Sequence, residues 1–115
     1  MVKKKVGIAG YGIIGKRRRQ YIDNNPHLQT IAVCDQNLEN DTVLEDGLKC
    51  FSNYQHLLEE PLDVLFISLP NYLAPEVTMA GLERGMHVFC EKPPGRNVED
   101  VENVFQVKQK YPKLY

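Results

Sequence analysis

The sequence predicts an α/β fold: a doubly wound parallel sheet with helices on both faces, which gives three layers. Short apolar runs alternate with helix-like segments along the 115 residues, and this alternation is typical of parallel strands joined by crossover helices. Four strands are predicted from apolar residues at consecutive positions, as strands covered on both faces require: residues 6–9, 30–34, 63–68 and 87–90. A fifth, weaker strand is predicted near residues 49–51.

The predicted helices are marked by their termini. The first begins near Ile13 and stops before the Asn-Asn-Pro of residues 24–26, because proline and the residue before it resist helical geometry. Pro75 fits the first turn of another helix, and Gly85 fits its C-terminal exit. Asn97 can cap the last helix. The apolar stripe of that helix consists of Val101, Val104 and Phe105.

The whole chain, residues 1–115, is expected to form a single domain, since no linker, repeat or low-complexity tract divides it. Residues 111–115 reach the point where this topology should deliver another parallel strand. We therefore expect a truncated domain or a gene cut short.

The composition argues against several classes of function. Lys and Arg number 14 against 15 Asp and Glu, so the net charge of -1 gives no general attraction to nucleic acid or to an anionic membrane. No apolar run approaches transmembrane length. The three cysteines, Cys34, Cys50 and Cys90, form no Cys-x-x-Cys pair, which argues against a disulfide framework or a zinc site. We expect a cytoplasmic protein with no metal ion and no nucleic-acid or membrane partner.

A glycine motif follows the first predicted strand and opens the first predicted helix. It has the spacing G-x-G-x-x-G and consists of Gly10, Tyr11, Gly12, Ile13, Ile14 and Gly15. In dinucleotide-binding folds of the Rossmann type, the first glycine permits the tight turn, the second lets the backbone approach a pyrophosphate, and the third lets the helix lie close to the sheet. The phosphates would rest on free helix N–H groups. The alternative is a glycine turn selected for packing alone.

Asp35 follows the second predicted strand and lies twenty residues after Gly15. At this interval an acidic side chain is expected to accept a hydrogen bond from the adenosine ribose 2′-hydroxyl. A carboxylate there also repels a 2′-phosphate, so we expect the cofactor to be NAD, with NADP less favoured. The alternative is an ordinary turn or cap residue, because Asp is common after strands.

Four basic residues, Lys16, Arg17, Arg18 and Arg19, occupy the early turns of the first predicted helix, where cations oppose the helix dipole. A bound anion would relieve that conflict, and the same run could support NADP despite Asp35. The favoured alternative is an ordinary solvated basic face, and only the earliest of these side chains would reach a phosphate.

Two further segments follow predicted strands at the same edge of the sheet. One is Ser68, Leu69, Pro70 and Asn71, and the other begins with Glu91, Lys92 and Pro93. Ligands of open parallel sheets bind outside the carboxyl ends of the strands, so segments after several strands are expected to converge on one crevice. The alternative is that the prolines only form turns, and that Lys92 only makes a surface ion pair with Glu91 or another acid.

Taken together, these motifs and the stretch 80–88, Ala-Gly-Leu-Glu-Arg-Gly-Met-His-Val, resemble the glucose-fructose oxidoreductase and inositol dehydrogenase family over essentially the whole chain. The resemblance implies an N-terminal Rossmann domain, a C-terminal substrate domain that this chain lacks, and oxidation or reduction of a sugar or polyol with NAD or NADP. It implies that Lys92 is catalytic and hydrogen-bonds the reacting oxygen, and that Pro70, Asn71 and Glu91 line the nicotinamide ribose. The bond between Lys92 and Pro93 is a candidate cis peptide.

Two departures from the family limit what the chain can do. The family often carries a histidine where this sequence has Ala74, and its second catalytic group, commonly a histidine of the C-terminal domain, has no counterpart here. Surface positions are predicted for His27 and His56, and a packing role at the start of a strand for His87.

We therefore expect an NAD(P)-binding domain of a dehydrogenase that binds the cofactor without full catalysis. The sugar or polyol would be the partner of a longer parent protein, and a homo-oligomer is possible. The rival hypothesis is a noncatalytic module that senses NAD(H) or serves as a scaffold.

Overall fold

The computed structural model describes residues 3–44 and 46–115. Within these residues, six strands form one sheet: β1 (Lys4–Ala9), β2 (Leu28–Cys34), β3 (Thr42–Val43), β4 (Lys49–Phe51), β5 (Val64–Ile67) and β6 (His87–Cys90). The described residues also form four helices: α1 (Ile13–Asn24), α2 (Tyr54–Leu57), α3 (Ala74–Glu83) and α4 (Val98–Gln109). The first three lie between strands, and α4 follows β6.

The strands lie in the order β3-β4-β2-β1-β5-β6. Neighbouring strands are parallel except for β3 and β4, which are antiparallel. The parallel part therefore has the doubly wound order of a Rossmann fold, as predicted. The sheet as a whole is mixed, because β3 adds an antiparallel edge. This strand has two residues, both exposed, which is too short for a hydrophobic pattern to reveal.

Two hydrophobic clusters cover the two faces of the sheet. One cluster joins Ile22 of α1 to strand residues such as Val6 and Val33. The other joins Leu57 of α2 and Val77 of α3 to strand residues that include Leu65. Residues of β1 and β2 contribute to both clusters, which explains their consecutive apolar positions. The predicted three-layer arrangement is confirmed.

The helix boundaries agree closely with the predicted termini. The first helix begins at Ile13 and ends at Asn24, one residue later than expected. Pro75 lies in the first turn of α3, and Gly85 follows that helix with φ of +81°. The Asn97 side chain caps α4 by accepting a hydrogen bond from the amide of Asp100 at 2.9 Å.

The apolar stripe of α4 does not form a buried interface within the described chain. No residue of this helix is buried, and Val101 and Phe105 are 44% and 59% exposed. The stripe was identified correctly, but the local pattern could not show that α4 lies at the outside of the described structure.

The histidines occupy the predicted kinds of position. His27 and His56 are exposed. His87 begins β6, and its Nδ1 accepts a hydrogen bond from the Tyr115 amide at 3.1 Å. The Tyr115 carbonyl in turn accepts from the Val88 amide at 2.6 Å. Residue 115 therefore lies beside the outer edge of β6, where the sequence predicts a further strand.

Within the described residues, no helix combines the length and the apolar character needed to cross a bilayer.

Candidate functional site

The carboxyl ends of four strands stand in register at one edge of the sheet. Ala9 is paired with Cys34 on one side and with Ile67 on the other, and Ile67 is paired with Cys90. The pairing continues for one more residue: the amides of Gly10, Ser68 and Glu91 donate to neighbouring strands at 2.9, 2.8 and 2.9 Å. The four segments singled out in the sequence therefore begin at one edge, as predicted.

The direction of chain winding reverses between β1 and β5. From β1 the chain runs to β2 and β4 on one side, whereas β5 and β6 lie on the other side. In open α/β sheets this reversal opens a crevice outside the carboxyl ends of the strands. Gly10 and Ser68 meet at this point, because a Cβ on Gly10 would lie 2.3 Å from the Ser68 carbonyl oxygen.

The three glycines of the motif meet different requirements. Gly10 has φ of +94°, which favours glycine, and its contact with Ser68 leaves no room for a side chain. A Cβ on Gly15 would lie 2.1 Å from the Gly10 carbonyl oxygen, so Gly15 lets α1 begin directly over the turn. Around Gly12, no atom of the described chain lies within 4 Å of an added Cβ. Packing therefore accounts for Gly10 and Gly15 and leaves Gly12 unexplained.

The N-terminus of α1 has no capping side chain. Its N-cap residue is Gly12, and its first turn contains no acidic residue. By contrast, Asn53 and Asn97 accept backbone amides at the starts of α2 and α4. The first amides of α1 therefore point outward without a side-chain acceptor, which is the arrangement that binds phosphates in dinucleotide-binding folds.

Ser68 provides a second unfilled polar position at the crevice. Its Oγ is buried and has no hydrogen-bond partner among the described residues. A buried hydroxyl normally has a partner. Thr30 and Thr78 have hydroxyls in the same condition, so the fit to a polar, phosphate-bearing ligand rests on the open space over Gly12 and the uncapped α1.

Asp35 acts as a turn residue and still has acceptor capacity. Its Oδ1 accepts from the Asn37 amide at 2.9 Å, and its Oδ2 accepts from the Tyr11 amide at 3.2 Å. The second bond joins the loop after β2 to the glycine turn. A carboxylate has about four lone-pair positions, so two amide bonds leave acceptor positions for a ligand hydroxyl.

Arg18 and Arg19 of the basic run are engaged by other side chains. Arg19 donates to Asp46 at 2.7 Å, to Asp23 at 3.2 Å and to the Tyr11 hydroxyl at 3.1 Å. Hydrogen bonding with Arg19 lowers the pKa of Asp46 from its ordinary value. Arg18 pairs with Glu91. Both arginines therefore pair with carboxylates of the chain itself.

Lys92 is exposed and makes no ion pair within the described part of the chain. Glu91 pairs with Arg18 instead, so the alternative, an ion pair of Lys92 with Glu91 or another acid, is not formed among the described residues. The peptide bond between Lys92 and Pro93 is cis, as expected.

The segment after β5 leads directly into α3. The Pro70 carbonyl accepts from the amides of Leu73 and Ala74, each at 3.0 Å. Asn71 and Leu69 are partly buried. The structure thus brings the segments of residues 68–71 and 91–93 to adjacent strand ends.

Sequence reasoning missed a small cavity beside Asp35, because its walls come from three separate segments. Its volume is about 130 Å³, and it is lined by Cys34, Gln36, Ser52, Asn53, Tyr54, Leu69 and Leu73. Burial, with a hydrogen bond to Glu76, raises the pKa of Tyr54 to about 12. Burial also raises the pKa of the Cys34 thiol to about 12. Both side chains are therefore neutral wall groups at physiological pH.

Residues 3–44 and 46–115 contain no cluster of three or more His, Cys, Asp or Glu side chains that could hold a metal ion.

Comparison with known proteins agrees with this geometry. Residues 4–115 match the oxidoreductase family GFO/IDH/MocA, described by its NAD-binding Rossmann fold. The chain belongs to this family. It is 30% identical over 115 residues to D-glucoside 3-dehydrogenase of Escherichia coli, an alignment that covers 96% of this chain and 33% of that protein.

Solved structures of GFO/IDH/MocA proteins share the fold. One is scyllo-inositol dehydrogenase from Lactobacillus casei with bound NAD(H) and scyllo-inositol. It matches with a TM-score of 0.81 and 25% sequence identity, and the match covers 97% of this chain and 34% of that chain. Another is a 3-ketoreductase from Actinomadura kijaniata in complex with TDP-benzene and NADP. It matches with a TM-score of 0.77 and 24% sequence identity, and the match covers 94% of this chain and 35% of that chain. The chain spans about a third of the length of these relatives.

Proposed function

We propose that this chain binds NAD(H) at the carboxyl edge of its sheet and is the cofactor domain of a dehydrogenase acting on a sugar or polyol. The observation that carries the proposal is the register of four strand ends beside an uncapped α1. The relatives support the substrate class, because their names specify inositol and glucoside. The isolated chain is expected to bind the cofactor without full turnover.

The diphosphate of the cofactor would rest against Gly12 and the first amides of α1. The open space over Gly12 supports this placement, since neither a side chain nor the backbone of the described chain fills it. The free lone pairs of Asp35 would accept from the adenosine ribose 2′-hydroxyl. The adjacent cavity would receive the adenine, and Leu69 and Leu73 give it the apolar surface that a base requires.

NAD is the favoured form of the cofactor. A 2′-phosphate would meet the Asp35 carboxylate at close range, which is a repulsive contact. Arg19 does not offset that charge, because it already bonds Asp46 and Asp23. In the described structure the basic run therefore provides weaker support for NADP than its sequence suggests.

Lys92 is proposed as the catalytic residue at the nicotinamide end. The bound cofactor supplies the hydride acceptor or donor for a carbinol or keto carbon. When a hydroxyl is oxidised, its proton must leave as the hydride is lost. The Lys92 side chain in its amine form would accept that proton. In the reverse direction, the Lys92 ammonium would donate a hydrogen bond to the keto oxygen and supply the proton that this oxygen gains as hydride reaches the carbon. Pro70, Asn71 and Glu91 would border the nicotinamide ribose.

Calorimetric titration of the chain with NADH tests the cofactor function. The Asp35→Asn variant keeps an oxygen for the Tyr11 amide and removes the charge, so NADH binding should weaken several-fold and NADPH binding should weaken less or improve. Glu39→Asn is the matched control, because Glu39 is exposed in the same loop. No binding of NADH at millimolar concentration, or an equal loss for both cofactors, would contradict the proposal.

A further inference from the structure

Arg18 links α1 to the end of β6, where the segment carrying Lys92 begins. Its Nε donates to Oε1 of Glu91, the residue immediately before Lys92. The two partners are 73 positions apart in the sequence. The ion pair therefore joins two of the four segments that meet at the candidate site.

The surroundings of the pair distinguish it from an ordinary surface contact. The Arg18 guanidinium lies 5.8 Å from the centroid of the Phe89 ring, and that ring packs on Phe66 with 5.2 Å between centroids. The Glu91 amide is fixed by the Ile67 carbonyl at 2.9 Å. Each partner is thus held from a second direction, which reduces the conformational entropy lost when the pair forms.

Arg17 is a natural comparison within the same helix turn. It is exposed, and no ion pair of Arg17 is found among residues 3–44 and 46–115. A general preference of this sequence for basic residues at the start of α1 therefore does not explain the contact made by Arg18.

We propose that Arg18 is a positioning residue whose ion pair with Glu91 sets the Lys92 segment relative to the phosphate-binding end of α1. The inference rests on the proposed cofactor function. The diphosphate would be held at the start of α1 and the nicotinamide near Lys92, so the pair fixes the spacing between these two parts of the site. Arg18 acts through Glu91 and touches neither the substrate nor the cofactor.

This role predicts a difference between two ligands. ADP-ribose contains the adenosine and the diphosphate, and it would use the glycine turn and Asp35. NADH also carries the nicotinamide, which extends to the Lys92 segment. Loss of the ion pair should weaken NADH binding and spare ADP-ribose. If Arg18 instead bound the diphosphate, or only stabilised the fold, both ligands would bind more weakly.

The experiment measures NADH and ADP-ribose affinities by calorimetry for the whole chain and for the variants Arg18→Gln, Glu91→Gln and the double variant. We expect each single variant to weaken NADH about fivefold or more, with ADP-ribose unchanged within about twofold. The double variant should be no weaker than the single ones, because residues that act through one contact are not additive. The control Arg17→Gln should bind both ligands like the unmodified chain.

A conservative replacement tests whether the charge contact is what matters. Arg18→Lys keeps a cation within reach of Glu91 and should recover part of the NADH affinity lost in Arg18→Gln. Equal losses for the two ligands, additive effects in the double variant, or no recovery with lysine would each overturn the inference.

The proposed function can fail separately from the inference. If the unmodified chain bound neither ligand, the cofactor function and the inference would both be rejected. If the unmodified chain bound both ligands, and the Arg18 and Glu91 variants bound each ligand with the affinity of the unmodified chain, only the positioning role would be rejected.

Discussion

Replacing Gly12 with alanine should separate the stability of the fold from the binding of the cofactor. A Cβ at this position meets no atom of the described chain within 4 Å, and the backbone φ of -83° suits an L-residue. Alanine is a poorer N-cap than glycine by roughly 0.5 kcal/mol. Alanine also restricts the conformations of the unfolded chain, which stabilises the folded protein by about 0.4–1 kcal/mol. These effects offset each other, so the Tm should change by no more than about 3 °C.

Cofactor binding should respond differently, because the added methyl group would occupy the space proposed for the diphosphate. We expect NADH affinity to fall at least tenfold, which corresponds to about 1.4 kcal/mol. Gly10→Ala is the contrasting variant. Its φ of +94° and the 2.3 Å approach to the Ser68 carbonyl oxygen strain the fold itself. The left-handed conformation alone costs about 1–2 kcal/mol, so this variant should lose about 2 kcal/mol or more of stability.

Thermal unfolding gives the Tm, and calorimetry gives the NADH affinity, of the unmodified chain, Gly12→Ala and Gly10→Ala. Gly47→Ala tests the strain estimate, because Gly47 has φ of +87° but open space around it. Its stability should fall by less than that of Gly10→Ala. If Gly12→Ala bound NADH as well as the unmodified chain while keeping its Tm, the diphosphate could not lie against Gly12 and the reasoning would be refuted.

Three further predictions follow from local contacts. Asn97→Ala removes the cap that accepts the Asp100 amide at 2.9 Å, and it should cost about 1 kcal/mol in urea unfolding; an unchanged midpoint would argue against the cap. Arg19 lowers the pKa of Asp46, so this pair stabilises the fold above the ordinary Asp pKa of about 3.9 and the effect is lost as pH falls through the lower folded value. The stability difference between the unmodified chain and Asp46→Asn should accordingly be present at pH 7 and shrink as the pH is lowered below the ordinary Asp pKa of about 3.9, and a difference independent of pH would contradict this. Because burial raises the pKa of Cys34 to about 12, iodoacetamide at pH 8 should label Cys34 far more slowly in the native chain than in urea, as measured by peptide mass spectrometry; equal rates would show that the thiol is accessible.

Elements with strong local signals were predictable from the sequence. The strands Lys49–Phe51 and His87–Cys90 have the predicted limits. β1 begins at Lys4, two residues before its apolar run, because pairing with β2 extends it through two exposed lysines. Tertiary pairing sets such limits, and hydrophobicity alone cannot locate them.

The candidate site was predictable as a set of segments but not as a set of contacts. Parallel topology alone brings Gly10, Asp35, Ser68 and Glu91 to one edge. The ion pair of Arg18 with Glu91 connects residues far apart in sequence, and no periodicity or spacing indicates which of four consecutive basic residues will turn toward β6. The basic run was therefore recognised, and its partners were not.

The alignment of Ala9, Cys34, Ile67 and Cys90 in adjacent strands has a consequence for how this domain can vary. The register of β1 and β2 shifts by one residue between Thr30 and Ala32, and the two strands still end together. A residue inserted without such a bulge would advance the downstream loop by about 3.3 Å and reverse the faces of the side chains beyond the insertion. Substitutions in the loops leave the alignment of the strand ends unchanged. New specificity at this edge can therefore arise by point substitution in the loops, whereas a change in strand length keeps the alignment only where a bulge absorbs it, as in β2.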